Sequence, residues 1–598
     1  MEAVLSKTAL QGGEFLIKDS QAEDIFIPEE LNEEQMMIRE MVRDFLHNEI
    51  LPNSEKIEHQ EDNISPRLLE KMAALGLLGT HMPEVYGGMQ LDTNTNTLIG
   101  DALGPAGAFT VSYAAHIGIG MLPILYFGTE EQKDKYLPRL INGELKAAYC
   151  LTEPGSGSDA LAAKTRADLS ADGKHYLLNG QKMWISNAGF ADLFIVFAKI
   201  DGDKFTGFIV ERDSAGLTLG AEEKKLGIKG SSTRQVFFEN TPVPVDNVLG
   251  KIGKGHLIAF NALNTGRFKL CALSLGGAKY SVTTAIRYAN ERIQFGVPIS
   301  SFGAIQYKLA EQAIRIFSTE SALFRVSNLM ELKKQEFEAN GASFGEAELK
   351  AAEEYAIECS ILKVTGSEAL DYVVDETVQV HGGMGFSEEG TAARAYRDAR
   401  INRIYEGTNE INRLLSIDML LKRAMKGALD IVGPAWEVQK ELASMPSLGK
   451  EEGPYAEEKK AVKDFKKAVL MVAGAAAKLQ MEGKLDLKNE QEIIMNVADM
   501  LSDLFLAEST LLRVEKLAGM QGKVKQEVYD AILKVFIHDV TLRMNKNGTD
   551  ALASFAEGDL LRTMLMGLKR FTKYPAQNVK TLRRELADVL IAANEYAV

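Results

Sequence analysis

Cysteine and tryptophan are nearly missing from this 598-residue chain, with three of the former and two of the latter. Cys150, Cys271 and Cys359 form an odd, widely spaced set without metal-ligand or redox spacing. A disulfide framework is therefore not expected, no metal is expected, and a reducing compartment suits the chain. No run of about 18 apolar residues is read in the sequence, so no membrane span is expected. The first twenty residues carry Glu2, Glu14 and Asp19 and lack both a basic start and an apolar centre. Neither a signal nor a transit peptide is expected there, which points to a cytoplasmic protein. Neither a G-x-x-x-x-G-K-[ST] loop nor a G-x-G-x-x-G between strand and helix occurs, which removes those two routes to nucleotide binding. Positive charge is also short: 68 Lys and Arg against 83 Asp and Glu leave a net charge of −15, unsuited to a general nucleic-acid binder. There is no internal repeat and no low-complexity tract.

What remains is an ordinary globular composition in a chain too long for one core, so two or more domains are expected. Residues 1–30 read as an irregular arm. Asn32 with Gln35 forms a capping box, behind which Met37, Ile38, Met41, Val42 and Phe45 keep helical spacing. Ser65-Pro66 reads as a cap followed by Pro in the first turn, and Thr129-x-x-Gln132 as a second capping box. Residues 31–143 are thus expected to form an N-terminal helical domain. Over 144–250 the turn dipeptides Asp172-Gly173, Asn179-Gly180 and Asp201-Gly202 separate runs of β-formers at 193–197 and 208–210. A further strand at 235–238 is closed by Thr241-Pro242-Val243-Pro244, giving a central antiparallel β-domain. Helical periodicity returns at His256, so 251–433 is expected to be a second helical bundle. Residues 434–459, with Pro434, Pro446, Gly449, Gly453 and Pro454, read as a linker, and 460–598 as an extra helical domain. The fold class is α+β, with the β-domain inserted between two helical layers.

Five stretches stand out chemically. Tyr405-Glu406-Gly407-Thr408 lies among basic residues, with Arg394, Arg397, Arg400 and Arg403 before it and Arg413 after it. Gly costs about 1 kcal/mol against Ala in a helix interior, so Gly407 marks a break on which Glu406 can point into a cleft. A solvated Glu–Arg pair would look the same in sequence. Residues 149–159 end a strand in a Gly/Ser turn whose free N–H groups can form an anion nest, although ordinary turns use the same residues. Lys182-Met183-Trp184-Ile185-Ser186-Asn187 carries a Trp that fits either a core or a platform for a planar cofactor. Arg292-Ile293-Gln294-Phe295 joins a guanidinium to a ring at a helix exit, suited to pyrophosphate and ring contacts. Gln379-Val380-His381-Gly382-Gly383-Met384-Gly385-Phe386 is a Gly-rich turn after a helical segment.

Jointly, in this order, the stretches resemble the signature segments of the acyl-CoA dehydrogenases, specifically the very-long-chain group, over residues 31–425. Residues 149–159 and 379–398 resemble the two signature segments, and 405–408 the catalytic loop. The long chain and Asn264-Thr265-Gly266-Arg267-Phe268 point to the very-long-chain group, with a looser likeness over 460–598. The resemblance implies non-covalent FAD. Tyr149, Leu151, Thr152, Trp184 and Ser186 match positions lining the isoalloxazine, and Ser158 a contact to flavin and acyl-CoA. Arg292, Gln294, Phe295, Gln379, Val380, Gly382 and Gly383 match segments holding the adenosine end across a dimer interface, and Thr408 and Glu410 match further FAD contacts. Asn264 and Arg267 match the helix beside the pantetheine and the base, and Gly407 a substrate backbone contact. Phe302-Gly303 departs from the aromatic-Gln pair of many members, as it does in the very-long-chain group.

The implied reaction is α,β-dehydrogenation of a fatty acyl-CoA to a trans-2-enoyl-CoA. Glu406 takes the α-proton, the β-hydride goes to FAD, and an electron-transfer flavoprotein is the acceptor. The backbone N–H of Glu406 and a ribityl hydroxyl are implied to hold the charge forming on the thioester oxygen. Ala114 and Gly118, four apart with Ala115 and Gly120 nearby, match the pocket floor of the very-long-chain group, although tight helix packing uses the same residues. Basic clusters at Lys463, Lys466 and Lys467 and at Lys569, Arg570, Lys573, Lys580, Arg583 and Arg584 fit either peripheral contact with anionic lipid or a solvated face. Rival readings are an acyl-CoA oxidase and a non-catalytic assembly or binding protein on the same fold.

Overall fold

The computed structural model of the protein describes residues 9–442, 452–520 and 526–598. The first helical layer comprises α1 (Glu33–Phe45), α2 (Ser54–Glu58), α3 (Ile64–Ala74), α4 (Thr93–Leu103), α5 (Ala108–Ala114), α6 (Leu122–Phe127) and α7 (Glu130–Ile141). Both expected capping boxes form: Asn32 accepts from the Gln35 N–H at 2.9 Å and Thr129 from the Gln132 N–H at 3.3 Å. The expected Ser65 cap does not form. The left-handed Asn63 starts α3 instead, and Ser65 is buried inside the helix. Between α5 and α6 the backbone widens into a π turn over Ala115–Gly120. The stretch Ala108–Phe127 is apolar and long enough to cross a bilayer, contrary to the sequence reading, but 78% of its apolar window is buried inside the fold.

Eight strands follow: β1 (Ala147–Cys150), β2 (Arg166–Leu169), β3 (His175–Ser186), β4 (Leu193–Ile200), β5 (Lys204–Glu211), β6 (Leu217–Glu222), β7 (Thr233–Pro244) and β8 (Val248–Leu249). Their order is β6-β7-β3-β2-β4-β5-β8, with β1 also on β4. The sheet is not wholly antiparallel, because β1 runs parallel to β4, as does the single β2–β4 pairing. After β1 the chain leaves through the 151–165 loop instead of turning back as a hairpin. β4 is buried on both faces. Leu193, Ile195 and Phe197 join the core under the first helical layer, while Phe194, Val196 and Ala198 fill the opposite face. β7 runs through Pro242 and Pro244 because β6 pairs with it only as far as Phe238, leaving no neighbour that needs the missing N–H groups. Buried His116 joins helices to sheet: its Nε2 bonds the Leu140 carbonyl at 3.0 Å and its Nδ1 accepts the Ala147 N–H at 3.1 Å.

The second helical layer is α8 (Gly255–Glu291), α9 (Gly303–Ala339), α10 (Phe344–Glu354), α11 (Ala356–His381), α12 (Gly383–Phe386), α13 (Thr391–Ala399) and α14 (Asn409–Met425). A two-stranded hairpin, β9 (Ile293–Gln294) and β10 (Val297–Pro298), separates α8 from α9. The stretch expected to be a linker begins with a helix, α15 (Val432–Leu442), whose Val438 is buried, while residues 443–451 lie outside the described residues. The last block holds α16 (Ala456–Met481), α17 (Gln491–Gly519), α18 (Gln526–Phe555), α19 (Gly558–Phe571) and α20 (Val579–Ala593). It shares one apolar core with α8, α9 and α11.

Two expectations change with that packing. The arm before α1 is irregular but buried, and acts as a strap between the bundle and the last block. Phe15, Leu16, Ile25 and Ile27 sit in the shared core. The Gly13 N–H donates to Glu358 at 2.7 Å, the Lys466 ammonium reaches the Lys18 carbonyl at 2.6 Å, and Arg513 pairs with Glu29 at 2.6 Å. The C-terminal basic clusters are partly internal rather than a free face. Lys466 pairs with Glu508 at 2.7 Å, Lys467 with Glu441 at 3.0 Å and Arg570 with Glu441 at 2.8 Å. Arg583 pairs with Glu311 at 2.6 Å and Asp539 at 2.8 Å.

Candidate active site

Glu406 sits in the turn between α13 and α14, where it and Gly407 are both left-handed, with φ of 58° and 81°. For a non-glycine residue that conformation costs about 1–2 kcal/mol and persists only where the surroundings impose it. Here side chains grip the backbone. Asn412 donates to the Gly407 carbonyl at 2.8 Å and the Thr408 carbonyl at 3.0 Å, and Arg267 Nε to the Glu406 carbonyl at 3.2 Å. Arg267 is itself held by Asn264 at 2.9 Å, and Thr408 caps α14 by accepting the Ile411 N–H.

The Glu406 carboxylate turns the other way, into a cleft of about 1660 Å³ including its open mouth. Its Oε2 is buried without a hydrogen-bond partner among the described residues. It lies so close to α8 that a Cβ on Gly266 would stand 2.7 Å from Oε2. Burial pushes the carboxyl up to about 7, against the pull of Arg267 and Lys363. The Lys363 ammonium, brought down to about 7 by burial, bonds Asn409 Oδ1 at 2.7 Å behind the loop.

One face of α8 lines the cleft beyond Gly266, through Leu270, Leu273, Gly277, Tyr280 and Thr284. The spacing of four and three is that of a single helical stripe. The end of α5 contributes Ala114 to the lining and the π turn Ala115 and Gly118; Gly118 is buried, yet a Cβ there would meet nothing within 4 Å among the described residues. The space over it belongs to the cleft.

Ser186 at the end of β3 also reaches the cleft. Just before it, Met183 and Trp184 face Gln235 alone across the β3–β7 ladder, a bulge. Trp184 is left-handed and half exposed, so it is not the core residue its type suggests. Nearby, Tyr149 and Leu151 are buried, and Thr152 accepts the Met183 N–H at 2.9 Å. Buried Lys182 reaches Glu153 at 2.7 Å, and Glu153 also takes the Thr165 N–H at 3.0 Å, which fixes the loop on which Ser158 is exposed.

Arg292, Gln294 and Phe295 are elsewhere. Arg292 lies about 39 Å along α8 from Gly266 at about 1.5 Å per residue. Gln379 lies about 24 Å along α11 from Lys363 by the same measure. Gln379, Val380, Gly382 and Gly383 share that end of the molecule with the hairpin, because Tyr288 stacks on His381 at 4.2 Å between ring centres. Phe295 (93% exposed) and Phe386 (86% exposed) leave apolar rings bare there. Glu410 is exposed in the first turn of α14. At the departure noted above, Gly303 leaves room for the Arg584 guanidinium, which a Cβ would meet at 2.6 Å.

A planar ligand beside Glu406 fits this arrangement. Gly155 and Gly157 on the Thr152–Ser158 loop, and Gly382 and Gly383 at the far end, have nothing within 4 Å of where a Cβ would stand. Packing within the described residues does not account for the missing side chains at Gly155, Gly157 and Gly383, whereas at Gly382 the positive φ of 59° itself favours glycine. Gly266, Lys363 and Asn412 are part of the site and were not singled out from the sequence. Gly266 and Asn412 lie inside quoted or adjacent motif residues, whereas Lys363 has no local signal.

Family models of the acyl-CoA dehydrogenase N-terminal, middle and C-terminal domains match residues 32–144, 148–241 and 253–421. A further acyl-CoA dehydrogenase C-terminal-domain model matches 464–570, where the sequence likeness was expected to be loose. The chain is 46% identical over 588 residues to a probable acyl-CoA dehydrogenase of Bacillus subtilis (strain 168), covering 98% of each. It is 40% identical over 421 residues to the mitochondrial very long-chain specific acyl-CoA dehydrogenase of Macaca fascicularis, covering 67% of this chain and 59% of that one. A crystal structure of an acyl-CoA dehydrogenase complexed with FAD from Bacillus anthracis aligns with a TM-score of 0.95 at 47% identity, covering 99% of this chain and all of that one. On these matches and this architecture, the chain belongs to the acyl-CoA dehydrogenase family.

Proposed function

We propose that the chain is an FAD-dependent dehydrogenase of long-chain acyl-CoAs in which Glu406 removes the α-proton. The observation that carries the reading is the buried Oε2 of Glu406, unpartnered among the described residues, at the wall of a long apolar-lined cleft. A thioester α-hydrogen is a weak acid, and a base held near neutrality by desolvation is suited to remove it. Tyr149, Leu151, Thr152, Ser158, Trp184 and Ser186 would hold the ring portion of FAD, with Thr408 and Glu410 nearby. When bound, FAD supplies the acceptor for the β-hydride. Arg267 and Asn412 keep the loop backbone rigid through its carbonyls, which leaves the carboxylate free to take the proton and the Glu406 N–H to face the thioester. The proposed electron acceptor is an electron-transfer flavoprotein. Anaerobic mixing of the yellow holoprotein with acyl-CoAs of rising length is expected to bleach the flavin, and an unchanged spectrum across the panel would refute the reading.

Length follows from the α8 stripe. Gly266 to Thr284 spans about 27 Å of helix. At about 1.3 Å per carbon, from a C–C bond of about 1.5 Å, that length holds about twenty carbons. Leu at position 118 would fill the open space over Gly118 and is expected to shift the preferred substrate to shorter chains. An unchanged length profile would remove Gly118 from the cleft floor.

Acid dependence follows from the base. Glu406 and Lys363 titrate as an interacting pair near 7, so kcat/KM is expected to fall below neutrality as the carboxylate takes a proton. Lys363→Met removes a cation that favours the carboxylate, so the acid limb should move to higher pH. A limb that stays in place would uncouple Lys363 from the base.

A homodimer completes the reading. The hairpin and the α11 end lie too far along their helices from Glu406 to share one FAD with it in a single chain, and Phe295 and Phe386 offer apolar contact for a second copy. Sedimentation of the holoprotein as a monomer would overturn this arrangement.

A further inference from the structure

A second cavity of about 860 Å³ opens beside the cleft, between α4, the π turn, α8, α9 and α10. The two share Ala114, Lys269 and Leu273 as walls. Lys269 and Leu273 follow Gly266 on α8 by about 4.5 and 10 Å, so the shared wall stands part-way along the expected path of an acyl chain. The chamber walls are mainly apolar, as hydrocarbon would require, yet they carry a cluster of polar groups. His81, Lys269, Lys334, Glu348 and Tyr126 all line it.

Several of these groups are already satisfied. Tyr126 donates to Glu348 at 3.2 Å, and Lys334 faces Glu331 at 3.6 Å and the Phe344 ring at 4.5 Å. Two are not. Among the described residues neither ring nitrogen of His81, which is 4% exposed, has a partner within hydrogen-bond distance, although the ring faces the Ile117 carbonyl; the buried Lys269 Nζ also lacks a hydrogen bond, although it feels the Glu348 charge. Buried polar atoms without partners are unfavourable, and few persist in native proteins without a bound water, ion or ligand to meet them. Burial, then the nearby Lys269 charge, keeps His81 neutral, so it offers one donor and one acceptor. The ammonium of Lys269 offers donors alone.

We propose that this side chamber receives an oxygen function carried by the acyl chain several carbons from the thioester, with Lys269 and His81 as its hydrogen-bond partners. The proposal rests on the cleft being the acyl site and adds a substrate class to it. The shared chemistry is a hydrogen-bonding oxygen, either a mid-chain hydroxyl or a carboxylate at the chain end. A carboxylate would pair with Lys269, whereas a hydroxyl would donate to one His81 nitrogen and accept from Lys269. An unsubstituted chain would pass the opening and leave both groups unmet.

The test compares kcat/KM of the holoenzyme for plain and mid-chain hydroxylated acyl-CoAs of about twelve carbons, and for plain and carboxylate-ended ones of about eight carbons. Wild type is expected to favour one oxygenated form over the plain chain by about tenfold, as sites built around buried polar groups do. The favoured form identifies which oxygen the chamber accepts. In His81→Leu and in Lys269→Met the ratio should collapse toward one. A wild-type ratio near one for both forms, as a chamber filled only by water would give, overturns the proposal while leaving the dehydrogenase reading intact. A preference that survives both substitutions overturns the placement. If His81→Leu fails to fold, the wild-type ratio and Lys269→Met still decide. Absence of turnover on every acyl-CoA would instead overturn the function on which the proposal rests.

Discussion

Glu406→Gln is expected to keep the yellow colour and the affinity for acyl-CoA while slowing substrate-induced bleaching by at least about 10³-fold, within the range assigned to a positioned general base. Gln has the shape of Glu and cannot take the proton. The contacts that fix the loop, from Arg267 and Asn412, end on backbone carbonyls and survive the change. Stability supplies a second readout with a defined sign. The folded carboxyl is held near 7, above its ordinary value of 4.5, so the folded chain binds this proton more tightly than the unfolded chain. That contribution is complete below about 4.5 and disappears as the pH rises through about 7. The Gln variant never charges, so it should match wild type at pH 4 and exceed it at pH 8 by about 1–3 kcal/mol, the lower figure allowing for partial exposure. Bleaching at the wild-type rate would remove Glu406 from the role of base. A pH-independent difference in stability would mean that the carboxylate is better solvated than its buried Oε2 indicates.

Local chemistry made much of this molecule readable. Asn32–Gln35 and Thr129–Gln132 act within one helical turn, and turn dipeptides act between adjacent strands, so a short window contains their cause. The Glu406-Gly407 break was legible for the same reason. Features set by distant partners were not. Phe15, Leu16, Ile25 and Ile27 look like scattered apolar residues until Glu358, Lys466 and Arg513 are brought over the arm. Arg570 and Arg583 look like parts of a basic surface until Glu441, Glu311 and Asp539 meet them. Counting charges within a window cannot reveal pairs made across hundreds of residues. Trp184 was ambiguous because a one-residue change in the β3–β7 register decides which way it faces, and the bulge that sets this register leaves no composition signal.

Gly266→Ala is expected to be the second most damaging change, although it adds one methyl group and suits a helix better than Gly does. The new Cβ would stand 2.7 Å from Glu406 Oε2, 2.9 Å from its carboxyl carbon and 3.1 Å from Oε1. α8 cannot retreat, since its neighbours Phe268, Cys271 and Ala272 are buried in the packed bundle. The carboxylate must therefore move away from α8, into the space in which the α-carbon of the substrate would lie. Displacing a reacting group by about 1 Å can cost about 10²-fold in rate. The Gly266→Ala enzyme should lose about that much in kcat, with flavin content retained and the melting temperature at pH 5 near wild type. A larger residue at 266 would block the cleft outright and confuse displacement of the base with loss of substrate binding, which is why Ala is the informative choice. Acyl-CoA affinity measured in the Glu406→Ala background, which removes the side chain that would be displaced, separates the two effects: Gly266→Ala added there should leave the dissociation constant nearly unchanged. If Gly266→Ala retained wild-type kcat, the close approach of Glu406 to α8 would have no part in turnover, and the base would have to act from another rotamer.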